Sequence, residues 1–257
     1  MPRYRLTIEY DGTGYVGWQR QENGPSIQQA LEQAFLAFCG EETTLSAAGR
    51  TDSGVHALGQ VAHVDLARDW PAATVRNAVN QHLRPQPIAL VDVAAVPDAF
   101  HARFDAVERL YHYRIVTRSA PLALDQGRAW HLPRGLNAEA MHDAAQVLVG
   151  HHDFTTFRAT ICQAASPVKT LDEITIEELP CAHGQEFRVF LRARSFLHNQ
   201  VRSIVGTLER VGAGSWAPAD VKHALEARDR AACGPVCPPD GLYLSQVVYP
   251  SPVFRGA

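Results

Sequence analysis

The segment Gly49-Arg50-Thr51-Asp52-Ser53-Gly54-Val55-His56-Ala57 sets one carboxylate, Asp52, between two glycines, with a guanidinium two residues before it. Glycine has no Cβ and adopts positive φ at little cost, so backbone can close tightly around a ligand or a reacting group there. A loop carboxylate adds nothing to core packing, and Arg50 favours its ionised form if the two side chains converge. Asp-Ser-Gly is also ordinary turn chemistry, so these three residues alone read as a surface turn; the full nonapeptide is far rarer.

A second glycine cluster, Gly12-Thr13-Gly14-Tyr15-Val16-Gly17, has G-x-G-x-x-G spacing and follows a strand-like run. A dinucleotide site needs this turn to open directly into a helix, whose N-terminus holds the pyrophosphate. Here the next helix signal is Ser26, and the acidic residue about twenty positions on, Glu32, falls inside that helix. No nucleotide cofactor is expected. The glycines instead predict a loop that carries Tyr15, Trp18, Gln19 and Arg20, residue types suited to unstacked bases and an RNA backbone. Trp18 reads equally well as a core residue.

The chain has 257 residues, 46% of them apolar, enough for one large domain or two ordinary ones. No apolar run approaches the ~20 residues of a membrane helix. No apolar signal segment follows Met1-Pro2-Arg3-Tyr4-Arg5, so the cytoplasm is the expected compartment. Five scattered cysteines, with only Cys233 and Cys237 close together, read as reduced thiols, not as a disulfide or zinc framework. His151-His152-Asp153 lacks a second group of ligands, and no metal site is expected. The net charge of −3 is not the basic balance of a simple nucleic-acid binder. Of 24 basic residues only Lys169 and Lys222 are lysines. Arginine grips phosphate at two points and stacks on planar groups, but a GC-rich genome produces the same bias.

Elements that could position Asp52 follow from periodicity. Residues 4–10 alternate as a strand. Ser26 and Gln29 form a capping box for a helix whose face is Ile27, Ala30, Leu31, Ala34, Phe35 and Phe38, closed by Gly40. Strands are predicted over 43–48, 60–66 and 88–96, with a helix from an Asp69 cap to about Leu83. The order βαββαβ is that of a ferredoxin-like unit. A similar order follows: strand 111–117, helix 137–149, strands 168–179 and 186–195, helices 198–211 and 218–227, and strand 242–249. Residues 118–136 and 232–240 read as loops. The expected fold is therefore α+β: two ferredoxin-like halves, 1–105 and 106–257, joined into one largely antiparallel sheet with helices on one face and a central cleft.

Beyond the nonapeptide, the chain carries Glu9-Tyr10-Asp11-Gly12, Gly17-Trp18-Gln19-Arg20, Phe100-His101-Ala102-Arg103-Phe104 and Tyr111-His112-Tyr113. It continues with Asp153-Phe154-Thr155-Thr156-Phe157-Arg158, Gln200-Val201-Arg202-Ser203-Ile204-Val205-Gly206 and Gly241-Leu242-Tyr243-Leu244. In this order, across nearly the whole length, they resemble the TruA-type tRNA pseudouridine synthases. Ser53 and Ala57 stand at signature positions where small residues suffice.

The resemblance implies an isomerase with the pseudouridine synthase fold, acting on uridines 38, 39 and 40 of the tRNA anticodon stem-loop. It implies a homodimer, no cofactor and no metal. Asp52 would be the nucleophile. Tyr111 would stack on the uracil and handle the C5 proton, and Arg202 would pair with Asp52. Arg20, His101, Arg103 and Arg158 would contact RNA, and Arg50 either RNA or Asp52. In such a reaction the base leaves its stack, the N1–C1′ bond breaks and C5 joins C1′. A carboxylate can add at C1′ or remove a C2′ proton. No water is consumed, so one carboxylate suffices, whereas a glycosidase needs two.

On local sequence alone Tyr111 reads as an inward strand aromatic, and Arg202 also fits the solvated stripe of an amphipathic helix. Two other functions compete. A non-catalytic RNA-binding protein of two RRM-like units lacks an RNP1-type run and gives Asp52 no role. A nucleosidase would need a second carboxylate near Asp52.

Overall fold

Alternation in Arg3–Tyr10, strand β1, places Tyr4, Leu6, Ile8 and Tyr10 in the core. Each such side chain, fully buried, stabilises the fold by about 1.5–3 kcal/mol before entropy is counted. The computed structural model describes residues 1–250. They divide into two units: Met1–Arg109 with the returning residues from Tyr243 onward, and Leu110–Leu242.

In the first unit β1 is followed by α1 (Ile27–Cys39), β2 (Ser46–Ala47), β3 (His56–Asp65), α2 (Ala72–Leu83) and β4 (Ile88–Val96), the predicted βαββαβ order. β1 lies between β4 and β3 and is antiparallel to both, with Leu6 opposite Val93 and Ala62. Helix α1 begins where its cap predicts: the Ser26 side chain accepts from Gln29 N, and Gly40 closes it at φ 74°.

Three boundaries differ from expectation. The strand predicted over 43–48 is only Ser46–Ala47. β3 starts at His56, so it takes in the end of the signature loop. Asp69 does not cap α2; Pro71 occupies the N-cap position with no side-chain bond. The residue before a proline is driven away from helical geometry, which delays the start. The Trp70 backbone instead brackets the Tyr4 hydroxyl, with N at 2.7 Å and O at 2.8 Å.

The second unit contains β5 (Glu108–Thr117), β6 (Trp130–Leu132), α3 (Ala138–Ala145), β7 (Gly150–Asp153), β8 (Val168–Cys181), β9 (Gly184–Ala193), α4 (Gln200–Gly212) and α5 (Pro218–Ala227). Its strand order is β5-β9-β8-β7, with β6 parallel to β5. α3 packs on α4, α5 and β8. β6 lies within the predicted loop 118–136, and a 3₁₀ turn, Gln146–Leu148, replaces the end of the helix predicted to 149.

The last strand, β10 (Leu242–Val248), returns to the first unit, where Tyr243 and Leu244 run parallel to His56 and Ala57 of β3. The chain is thus α+β with largely antiparallel pairing, ten strands and five α-helices among the described residues.

Candidate active site

Asp52 heads a tight turn in the first unit. Its backbone oxygen accepts from Val55 N (3.1 Å), and Gly54 takes φ 76°, the value a type II turn requires at its third position. The turn-forming reading of Asp-Ser-Gly is therefore right as local geometry. Thr51 is buried, and its hydroxyl lies 2.8 Å from the Tyr10 hydroxyl. Gln60 Nε2 donates to Tyr10 Oη (3.5 Å) and to Gly49 O (2.8 Å), which ties the phenol to the start of the loop. Burial pushes the Tyr10 phenol up to about 12, so it stays protonated. Buried bonds of this kind each contribute about 0.5–1.5 kcal/mol, and a missing partner costs more.

The second glycine cluster supplies the other wall of the same loop. Trp18 N donates to Thr51 O (3.0 Å), Gly54 N to Tyr15 O (3.3 Å) and Ser53 Oγ to Tyr15 O (3.1 Å). Gly17 has φ 109°, and a Cβ there would stand 2.6 Å from Thr51 O. A Cβ on Gly12 would overlap the Val55 carbonyl. The G-x-G-x-x-G spacing thus lets two backbones touch behind Asp52. Trp18 is only 2% exposed, so of its two readings the core residue is correct. His56 Nδ1 lies 3.0 Å from Gly12 N and 3.1 Å from Asp11 Oδ1: one tautomer accepts from the amide, the other donates to the carboxylate. Its ring stacks on Tyr243 at 4.6 Å.

In the second unit, Tyr111 is half-buried on β5 and meets Phe196 edge to face at 5.1 Å. The fully inward aromatic of that strand is Tyr113, whose hydroxyl donates to Pro238 O (2.7 Å) and whose pKa burial drives well above the usual value. Arg202 is the third residue of α4 and does not lie on a solvated stripe. It is half-buried, with Nε donating to Cys237 O (2.8 Å) and Nη1 to Asn199 Oδ1 (3.2 Å). The loop carrying Cys237 is itself fastened to α4: Cys237 N donates to Arg202 O (3.2 Å) and Gly234 N to Thr207 Oγ1 (3.1 Å). Cys237 is buried, and desolvation pushes its thiol up to about 12. All five cysteines are unbonded thiols.

Arg50 and Arg20 are exposed, and Arg20 is only loosely tied to Glu32 (3.9 Å). His101 and Arg103 share one turn, where His101 Nδ1 accepts from the Arg103 (3.1 Å) and Phe104 (3.4 Å) amides. Arg103 extends over the exposed Phe104 ring at 5.8 Å. Arg158 is half-buried, and the next residue, Ala159, donates to His198 O (2.9 Å), beside the start of α4. His151 and His152 lie in β7, where their ring nitrogens meet Thr170 Oγ1 and Val149 O, each at 3.0 Å. Among the described residues no group of His, Cys, Asp or Glu is arranged to hold a metal ion, and no helix is long and apolar enough to cross a membrane.

The supporting contacts of Tyr10, Gln60, Asn199 and Cys237 were not read from the sequence. Tyr10 and Asn199 lie in or beside the quoted segments, but Gln60 and Cys237 carry no local signal for what they hold.

The first unit thus fixes one carboxylate in a tight turn, and the second fixes one guanidinium at a helix start. The sequence model of the family described as tRNA pseudouridine synthase matches residues 6–105 and 144–250. Whole-length relatives named tRNA pseudouridine synthase A include those of Dinoroseobacter shibae, 62% identical over 257 residues covering all of both chains, and Parvibaculum lavamentivorans, 61% identical over 249 residues covering 97% of this chain and all of that one. A third, from Cereibacter sphaeroides, is 61% identical over 254 residues, 99% of each chain. The chain belongs to the tRNA pseudouridine synthase family, an isomerase family.

Proposed function

We propose that this chain converts uridine to pseudouridine in the anticodon stem-loop of tRNA, at positions 38, 39 and 40, with Asp52 as the nucleophile. The observation that carries the reading is the support of Asp52: a buried Tyr10–Thr51–Gln60 network beneath it and the glycine-shaped backbone of residues 12–17 behind it. A surface turn needs neither. A carboxylate held this firmly can meet a ribose in near-attack geometry, which removes much of the entropic part of the barrier.

In the proposed reaction the Asp52 carboxylate bonds to C1′ of the flipped uridine as the N1–C1′ bond breaks, the base rotates, and C5 bonds to C1′ as the C1′–O bond breaks and frees the carboxylate. The C5 proton then leaves and N1 gains one, so atoms balance without water, oxidant or second substrate. Tyr111, half-buried and backed edge-on by Phe196, offers its ring to the uracil and its hydroxyl to the C5 proton. Arg202 is the guanidinium of the reaction. Arg20, Arg50, His101, Arg103 and Arg158 contact the RNA, the exposed ones as phosphate partners. The protein acts as a cytoplasmic homodimer, with residues 1–105 bringing the nucleophile and 106–257 the tyrosine and the guanidinium.

Asp52→Asn tests this. Base flipping and phosphate contacts do not need the carboxylate, so tRNA affinity should stay within about tenfold, roughly 1.4 kcal/mol. Carbodiimide mapping should find no pseudouridine. Turnover by Asp52→Asn, with deamidation excluded by mass spectrometry, would refute the assignment. If the protein were instead a non-catalytic RNA binder, the unmutated chain would bind tRNA and modify nothing.

A further inference from the structure

Asn199 stands at the N-cap of α4 but does not behave as a cap. An N-cap residue has extended backbone, and its side chain accepts from an amide of the first turn. Asn199 has φ 61° and ψ 7°, and its side chain makes no capping bond. It is one of two non-glycine residues with positive φ among the described residues, and the other, Arg228, is exposed at the end of α5. Left-handed backbone is costly for any residue with a Cβ, least so for asparagine. The start of α4 is secured by its neighbour: the buried Gln200 side chain accepts from Leu197 N (2.8 Å), and Gln200 N donates to Leu197 O (3.0 Å). The Asn199 amide is thereby released from capping, and its Oδ1 meets Arg202 Nη1 at 3.2 Å. A guanidinium only donates, so the amide must present its oxygen.

We infer that Asn199 is a positioning residue, which takes a left-handed conformation to hold the Arg202 guanidinium in its working orientation. The inference rests on the proposed part of Arg202 in the reaction. Cys237 O fixes the guanidinium at Nε and Asn199 fixes it at Nη1. Two anchors on one planar group set its plane; either alone leaves a rotation about the side chain. Misplacement of a reacting group lowers the rate far more than it lowers binding.

The test separates amide from backbone. Asn199→Gly keeps the left-handed conformation without strain and removes the oxygen; Asn199→Ala removes the oxygen and adds strain. Both should slow single-turnover pseudouridine formation to a similar extent, about tenfold, with the Kd for tRNA within about twofold of the parent. Only Asn199→Ala should lose thermal stability. The same Asn199→Gly change in an Arg202→Lys background should slow the reaction no further, because the ammonium has no Nη1 to hold. Asn199→Gly at the parental rate overturns the inference and leaves asparagine as a backbone choice alone. An equal additional loss in the Arg202→Lys background overturns it too, since the effect then bypasses Arg202. Arg202→Lys at the parental rate is a different failure: it removes Arg202 from the proposed reaction.

Discussion

Replacing Gly17 by alanine places one methyl group behind the Asp52 loop, and its effect can be worked out from the contact it meets. The new Cβ would stand 2.6 Å from Thr51 O and 3.1 Å from the Asp52 carbonyl carbon. Real Cβ atoms do not approach a backbone oxygen below about 3.0 Å, so Thr51 O must retreat by at least 0.4 Å, and the Asp52 carbonyl, tight at 3.1 Å, must give by a few tenths of an ångström. The retreat also loosens the bond from Trp18 N to Thr51 O, now 3.0 Å. Backbone at φ 109° adds strain of about 1–3 kcal/mol for a residue with a Cβ. A strain of ~2 kcal/mol lowers Tm by roughly 4–8 °C in a chain of this size. A 1 Å error in a reacting group costs about a hundredfold in rate, so a shift near half that size should cost on the order of tenfold. Gly14→Ala is the matched control: its φ is 84°, and its Cβ would meet nothing within 4 Å. Both variants should melt lower, and only Gly17→Ala should be slow in single-turnover assays run well below either Tm. A Gly17→Ala enzyme at the parental rate would refute the claim that this glycine sets the position of Asp52. Equal rate losses in the two variants would refute it as well, since strain alone would then explain them.

Tyr111→Phe keeps the ring against Phe196 and removes the hydroxyl, so tRNA should bind nearly normally and turn over slowly; a parental rate would leave the tyrosine as a stacking surface only. Arg20→Ala and Arg103→Ala should each weaken tRNA binding and flatten the dependence of log K on log salt by about 1, whereas an unchanged slope removes that residue from the phosphate contacts. His63 should make stability acid-sensitive. Burial, with Arg3 and His101 nearby, lowers its pKa to about 4, and its Nδ1 accepts from Ala102 N (3.2 Å). The unfolded chain, with a histidine near 6.5, binds more protons between these values, so this stability is whole above pH 6.5 and declines as pH falls towards 4. Between pH 7 and 4.5 the loss is roughly 2–3 kcal/mol. His63→Gln should lack this component of the decline in urea titrations, and the same decline in both proteins would exclude His63 as its source.

What was legible in the sequence was whatever a short stretch decides for itself. Helix α1 was readable because Ser26 and Gly40 cap it by local bonds, and α5, Pro218–Ala227, because proline fits a helix's first turn. The short strand β7 was not: Gly150-His151-His152-Asp153 has no strand pattern and is extended because β8 pairs with it. The same division runs through the candidate site. Asp52, Tyr111 and Arg202 stand in segments distinctive enough to mark them. What holds them lies outside those segments: Gln60 fixes Gly49 from the next strand, and Cys237 fixes Arg202 from 35 residues away through a backbone oxygen. A backbone oxygen leaves no trace in residue types, and the residue bearing it could be almost anything. Gly17 shows how a signal can be visible and still point elsewhere. Its spacing matches a nucleotide fingerprint, yet the partner it admits is the protein's own Thr51 carbonyl. A glycine reports that something comes close, and only the fold says what; for Gly17 it is the strand of chain that delivers the carboxylate.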